Sequence, residues 1–318
     1  VLFRSRQLVS KPKRTILTTV LAALAYPVLA QYPVKPVHLM VPNGPGVSTD
    51  ILARTVGEKL QAAWNQPVVI ENIAGANGVI ASERLAKSAP DGYTLMVHPA
   101  GVVTFHPALY DKLHYDPIAD FEPITVLASP GTWLIATPAL AAKTLQDMVA
   151  LARQQPGKLT YATVGGTIGY PYISSVLFKN TAGIDLVFVP YKGGNQAIPD
   201  LIAGRIHLMF DSVPTSLNHV RDGRARALAF LGPRRHPSAP DLPTIGELGY
   251  AEVTGEGWNG MSGRKGTPSN VVRRIHADVI AAMRSPDVAK RLESAGLQIV
   301  LNTPEEFAAD RKSTRLNS

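Results

Sequence analysis

Residues 42–50, Pro42-Asn43-Gly44-Pro45-Gly46-Val47-Ser48-Thr49-Asp50, stand between an apolar run at 37–41 and a helical pattern at 51–63. A glycine-bearing loop at that place points backbone N–H groups and the positive end of a helix dipole at one spot, and Ser48 and Thr49 add hydroxyl donors. Such a spot suits an anion. The loop is neither Gly-x-Gly-x-x-Gly nor a Walker loop with Lys-Ser/Thr, so it gives a nucleotide little support. Thr49 and Asp50 also read as plain helix caps. Two later turns have similar character: Ala100-Gly101-Val102-Val103-Thr104 and Thr163-Val164-Gly165-Gly166-Thr167-Ile168-Gly169 each follow a strand-like run. Their glycines either let a backbone approach a ligand or only make turns. Lys192 and Asp211 lie at strand ends, where α/β folds commonly bind ligands, with a surface ion pair and a helix cap as their respective alternatives.

Catalytic constellations are missing from the sequence. The histidines at 38, 98, 106, 114, 207, 219, 236 and 276 show no metal-ligand spacing, so neither a zinc site nor any other metal or cofactor is expected. There is no Gly-x-Ser-x-Gly, and Ser174-Ser175 sits in a helical pattern with no assigned base. An enzyme would need an acid, base or nucleophile in mutual reach, built for instance from Asp50, Lys192 or Asp211.

The elements that must position these loops alternate. Strand-like runs at 37–41, 68–71 and 93–97 are followed by turns and helices, and strands at 159–164, 186–191, 206–210 and 227–231 repeat the scheme with helices at 145–153, 172–180 and 196–203. Thr144 reads as an N-cap. Val271, Ile275, Val279 and Met283 recur every four residues in the clearest amphipathic helix, 268–284. This order implies βαβ units and a mostly parallel sheet.

Particular wording runs through the chain in order: Asn65-Gln66-Pro67-Val68-Val69-Ile70-Glu71-Asn72, Pro90-Asp91-Gly92-Tyr93-Thr94-Leu95, His106-Pro107-Ala108-Leu109-Tyr110, Tyr115-Asp116-Pro117, Val189-Pro190-Tyr191-Lys192-Gly193 and Thr303-Pro304-Glu305-Glu306-Phe307. From about 31 to 310 it resembles the Bug receptors, the extracytoplasmic solute receptors of tripartite tricarboxylate transporters. The resemblance implies an α/β type II periplasmic-binding-protein fold: two lobes, a cleft, and two crossover strands near 124–137 and 227–232. Lobe 1 would be 31–127 with 232–309, and lobe 2 would be 128–231. It also implies ligand roles for Asn43, Gly44, Gly46, Ser48, Thr49, Asp50, Gly101, Val102, Thr104, Thr163, Gly165, Gly166 and Thr167, to which Lys192 and Asp211 are added by their strand-end positions alone. The sequence departs from the family at Asn43, where an aromatic is usual, and at Val47-Ser48, where a second glycine is normal. Turn 163–169 is one residue longer than the common pattern.

Formal charge is +8, which by itself would suggest nucleic acid or an anionic membrane. Its distribution removes that inference: residues 1–30 carry five cations and no anion, and 310–318 carry three cations against Asp310, leaving 24 basic and 23 acidic residues in 31–309. The basic start, the apolar stretch 16–25 and Val28-Leu29-Ala30 read as a secretory signal cleaved after Ala30, with periplasmic location expected. Residues 1–5 and 310–318 resemble translated sequencing adapter, which would leave the chain without the family's final helix. With no cysteine, an exported fold must hold by burial alone, and about 280 residues suffice for that.

The expected function is a monomeric receptor that closes on a small organic carboxylate, held by backbone amides, hydroxyls and bridging water, and delivers it to membrane transporter subunits, with no nucleic acid involved. A receptor feeding a sensor kinase and an enzyme on the same loops are the alternatives.

Overall fold

The computed structural model describes residues 32–110, 112–164, 169–191, 194–254 and 256–316; the expected leader and its cleavage point lie outside them. In chain order the strands are β1 (Val37–Val41), β2 (Val68–Asn72), β3 (Thr94–Pro99), β4 (Phe121–Ser129), β5 (Thr132–Ala136), β6 (Thr160–Val164), β7 (Val187–Tyr191), β8 (Leu208–Ser212), β9 (Arg226–Phe230), β10 (Asn259–Arg264) and β11 (Gln298–Ile299). They form one sheet ordered β11-β4-β10-β3-β1-β2 and a second ordered β7-β6-β8-β5-β9. Each sheet anchors one lobe.

The parallel pairs β1–β2, β1–β3, β6–β7 and β6–β8 are joined by helical crossovers, as alternating βα segments require. The helices are α1 (Ser48–Trp64), α2 (Val79–Ala86), α3 (Gly101–Thr104), α4 (His106–Leu109), α5 (Leu145–Gln154), α6 (Tyr170–Ala182), α7 (Gly194–Ile202), α8 (Val213–Arg221), α9 (Ser269–Arg284), α10 (Pro286–Ser294) and α11 (Pro304–Leu316). Thr144 caps α5 as expected, in a reciprocal box with Asp147. Helix α9 buries Ile275, Val279 and Met283 in the first lobe's core with the half-buried Val271 packed against it, so the four-residue spacing did mark its inner face.

The chain leaves the first sheet at Ser129 and enters the second at Thr132, with only Pro130 and Gly131 between β4 and β5. The return differs from the expected position at 232. Residues Ile245 and Val253 belong to the same buried cluster as Leu134, Phe178 and Phe210, and Phe230 pairs with Thr244. The segment after β9 therefore belongs with the second lobe, and the chain crosses back only on the approach to β10. Apolar residues at 245, 248 and 253 need a core, and the second lobe's is within reach.

After β11, helix α11 starts on a Thr303–Glu306 capping box and extends over 310–316, within the segment read as adapter. Its Phe307 is fully buried, edge-on to Trp258 at 5.1 Å and stacked with His98 at 6.5 Å. Arg311, 3% exposed, donates to the carbonyls of Pro117 and Phe121, and burial lowers its pKa to about 10.

Candidate functional site

A cleft with about 620 Å³ of empty space, part of it open to solvent, lies between the two sheets and is walled by both lobes. From the first lobe come Asn43, Val47, Ser48 and Thr49 of the β1–α1 loop, then Pro99, Ala100, Gly101 and Phe105 after β3. From the second come Thr132 at the start of β5, Gly169, Tyr170 and Pro171 at the start of α6, and Ser212 before α8. Pro130 lines it at one crossing, and Gly257, Trp258 and Asn259 at the other. Apart from Thr132 and Asn259, which begin the antiparallel strands β5 and β10, and the crossing residues beside them, these positions are the carboxyl ends of parallel strands and the first turns of the helices they feed, where α/β sheets leave room for ligands.

Three helices of eight residues or more, α1, α6 and α8, begin at this cleft, and their N-cap residues Val47, Gly169 and Ser212 make no side-chain cap hydrogen bond. Their first N–H groups need acceptors, and their dipoles favour negative charge there. No Lys, Arg or His is among the described residues of the wall. Polar side chains are few and tied together: the Thr49 hydroxyl donates to Asn43 Oδ1 at 3.2 Å, and Asn259 Nδ2 donates to Ser48 Oγ at 3.2 Å. Ser48 thereby keeps its O–H for a ligand. The remaining wall is Phe105, Tyr170, Trp258 and prolines, an apolar lining with a few convergent donors of the kind that small-molecule sites use.

The family model for the tripartite tricarboxylate transporter family receptor matches residues 52–312. The chain belongs to this receptor family. It is 32% identical to the protein BugT of Bordetella pertussis, over 91% of this chain and 90% of BugT. Among solved structures it is similar to Rpa4515 of R. palustris with adipate (31% identity, TM-score 0.86, 90% of this chain and 95% of that one). It is also similar to MatC of Rhodopseudomonas palustris with bound malate (29% identity, TM-score 0.84, 90% and 98%). These likenesses extend over both lobes, so the two-lobe periplasmic-binding-protein fold is that of the receptors.

Of the residues expected at the receptor's site, the structure brings Asn43, Ser48, Thr49 and Gly101 to the cleft wall. Others go elsewhere. Asp50 is buried, with its carboxylate accepting from the Gly46 N–H, Arg54 and Asn72; burial works to raise its pKa, but these partners hold it below the usual carboxylate range. It braces the loop rather than facing a ligand. Gly44 is half-buried off the wall, and Gly46 borders a separate recess beside α7 and α8. Val102 and Thr104 are core residues, the latter donating to the Ala100 carbonyl. Thr163 is buried at the end of β6, off the wall. Gly165, Gly166, Thr167 and Lys192 lie outside the described residues. Ser174 and Ser175 donate back to the carbonyls of Tyr170 and Tyr172, which accounts for both hydroxyls inside the helix.

Asp211 sits one residue short of the wall and points inward. Its carboxylate accepts from Thr215 and from Ser216 (2.7 Å), and Ser216 accepts from Trp133 Nε1 at 2.9 Å. Burial pushes its pKa up to about 6, against the lowering effect of the two hydroxyls. The unfolded chain's value is about 3.9, so the folded receptor binds this proton more tightly. The group's contribution to stability is thus fully present below about pH 4 and is lost as pH rises through about 6. Asp211→Asn should gain melting temperature relative to the parent as pH goes from 4.5 to 7.5; a difference independent of pH in thermal scans would show that Asp211 does not titrate this way.

Sequence reasoning missed Thr132, Tyr170, Ser212, Trp258 and Asn259. Only Ser212 carried a usable signal, since it follows an apolar run and precedes Val213-Pro214, a helix start with proline in its first turn.

Proposed function

We propose that this protein is a periplasmic receptor that closes its lobes on a small organic carboxylate and hands it to the membrane subunits of a tripartite transporter. The observation that carries this reading is a cation-free wall, among its described residues, onto which helices from both lobes open uncapped. Each dipole contributes ~0.3–1 kcal/mol when exposed and up to ~2 when partly buried. Hydrogen bonds to a charged group add about 1.5–3 kcal/mol each. Micromolar affinity needs only about 8 kcal/mol, so the wall suffices without an arginine clamp. The described wall offers hydrogen-bond donors and apolar contact, the equipment for holding a ligand that the receptor then releases unchanged. No helix among the described residues is long and apolar enough to cross a membrane.

Thermal shift and calorimetry with malate, adipate, citrate and benzoate test it, because a ligand of the native state raises the melting temperature by mass action. At least one should bind at micromolar levels, with Ser48→Ala weakening it more than Lys192→Met. Silence from every carboxylate would remove the reading, and the reverse ranking would place a side-chain cation at the anion.

A further inference from the structure

Val47 is an unusual residue for its position. It is the N-cap of α1, with φ −90° and ψ 165°, a place where Ser, Thr, Asp or Asn would accept a first-turn N–H and where valine is among the poorest choices. It is nevertheless only 7% exposed. The first lobe does not bury it. Its neighbours Leu52, Ala53 and Val56 belong to the first lobe's core, whereas Val47 belongs to the cluster of Trp133, Ile198, Val213 and Leu217 in the second. Two further contacts bring the lobes together: a Cβ on Gly296 would meet Val213 Cγ1 at 2.7 Å, and Arg221 reaches the Ser294 carbonyl at 3.5 Å.

We propose that Val47 is the positioning residue that couples the binding loop to lobe closure. Closure carries the β1–α1 loop against α7 and α8 and buries the Val47 side chain there. The same movement places Ser48 and Thr49 on the cleft wall, so apolar burial on the second lobe and donor placement for the ligand are one event. Opening the cleft exposes the valine. The closed state therefore has a ligand-independent contribution, and a full valine side chain is worth about tenfold or more in the closing equilibrium.

The test needs no ligand, so it stands or falls separately from the carboxylate reading. The chain has no cysteine, so Lys87→Cys and Lys158→Cys, exposed on the first and second lobes, give a two-label pair for single-molecule energy transfer. Val47→Ser removes the apolar group and supplies the missing cap; Val47→Ala removes it without a cap. Both should shift the short-distance population toward the long by about tenfold. Melting temperature should stay or rise in Val47→Ser and fall in Val47→Ala. An unchanged distance distribution in Val47→Ser, or a melting temperature that drops with it as in Val47→Ala, overturns the proposal, since a valine that merely filled the core would produce one or the other.

Discussion

Phe307→Ala is expected to be the most destabilising single change in this receptor, lowering unfolding free energy by about 3–5 kcal/mol, the range for truncating a fully buried phenylalanine. The ring is 0% exposed and is held between His98, Trp258 and Gly260, where a Cβ would sit 2.6 Å from its Cζ. Nothing smaller fills that space. The loss should reach the cleft as well, because Trp258 rests on Phe307 and lines the ligand wall. Urea denaturation gives the free energy, and tryptophan emission of the folded variant reports the wall. A cost below about 1 kcal/mol, typical of an exposed site, would show that α11 is not docked on the first lobe.

Gly257→Ala is expected to cost affinity rather than stability. Gly257 lies where the chain crosses back into the first sheet, its carbonyl accepts from Ser129 Oγ, and a Cβ there would stand 2.9 Å from Tyr170 Cβ and 3.4 Å from Cγ. Those atoms are the inner end of the tyrosine, so a rotamer change does not relieve the contact and the start of α6 must move. Overpacking of this kind costs about 1–3 kcal/mol. Levied only when the lobes meet, it becomes about a 5- to 150-fold loss of affinity. Calorimetry beside thermal denaturation separates the effects: equal affinity in the variant would mean that Tyr170 does not approach Gly257 in the bound state. Together with Val47 and Gly296, this contact makes closure a matter of side-chain volume at a few points on the two lobes.

Local pattern alone was enough for much of this protein. Alternating apolar runs and helical spacing located β1, β2, β3, β6, β7, β9 and the helices α1, α5, α6, α7 and α9 to within a few residues, because burial of one face leaves a period that can be read without knowing the partner. The wording around 65–72, 90–95 and 303–307 pointed to the receptor family, and Ser48 and Thr49 were readable as hydroxyl donors in a turn before a helix, with helix capping the alternative for Thr49. Tertiary structure decided the rest. Strand β10, Asn259-Gly260-Met261-Ser262-Gly263-Arg264, was not legible because two glycines break any alternation, and it exists only through pairing with β3 and β4 on either side. Asp50 looked like a ligand group until Arg54 and Asn72 claimed it, and Val47 stood only as a departure from the family's glycine until the opposite lobe buried it. The wall itself joins residues from 43 to 259, brought together where the two sheets face each other. Periodicity reports which face of an element is covered; what covers it depends on chain crossings that no local pattern encodes.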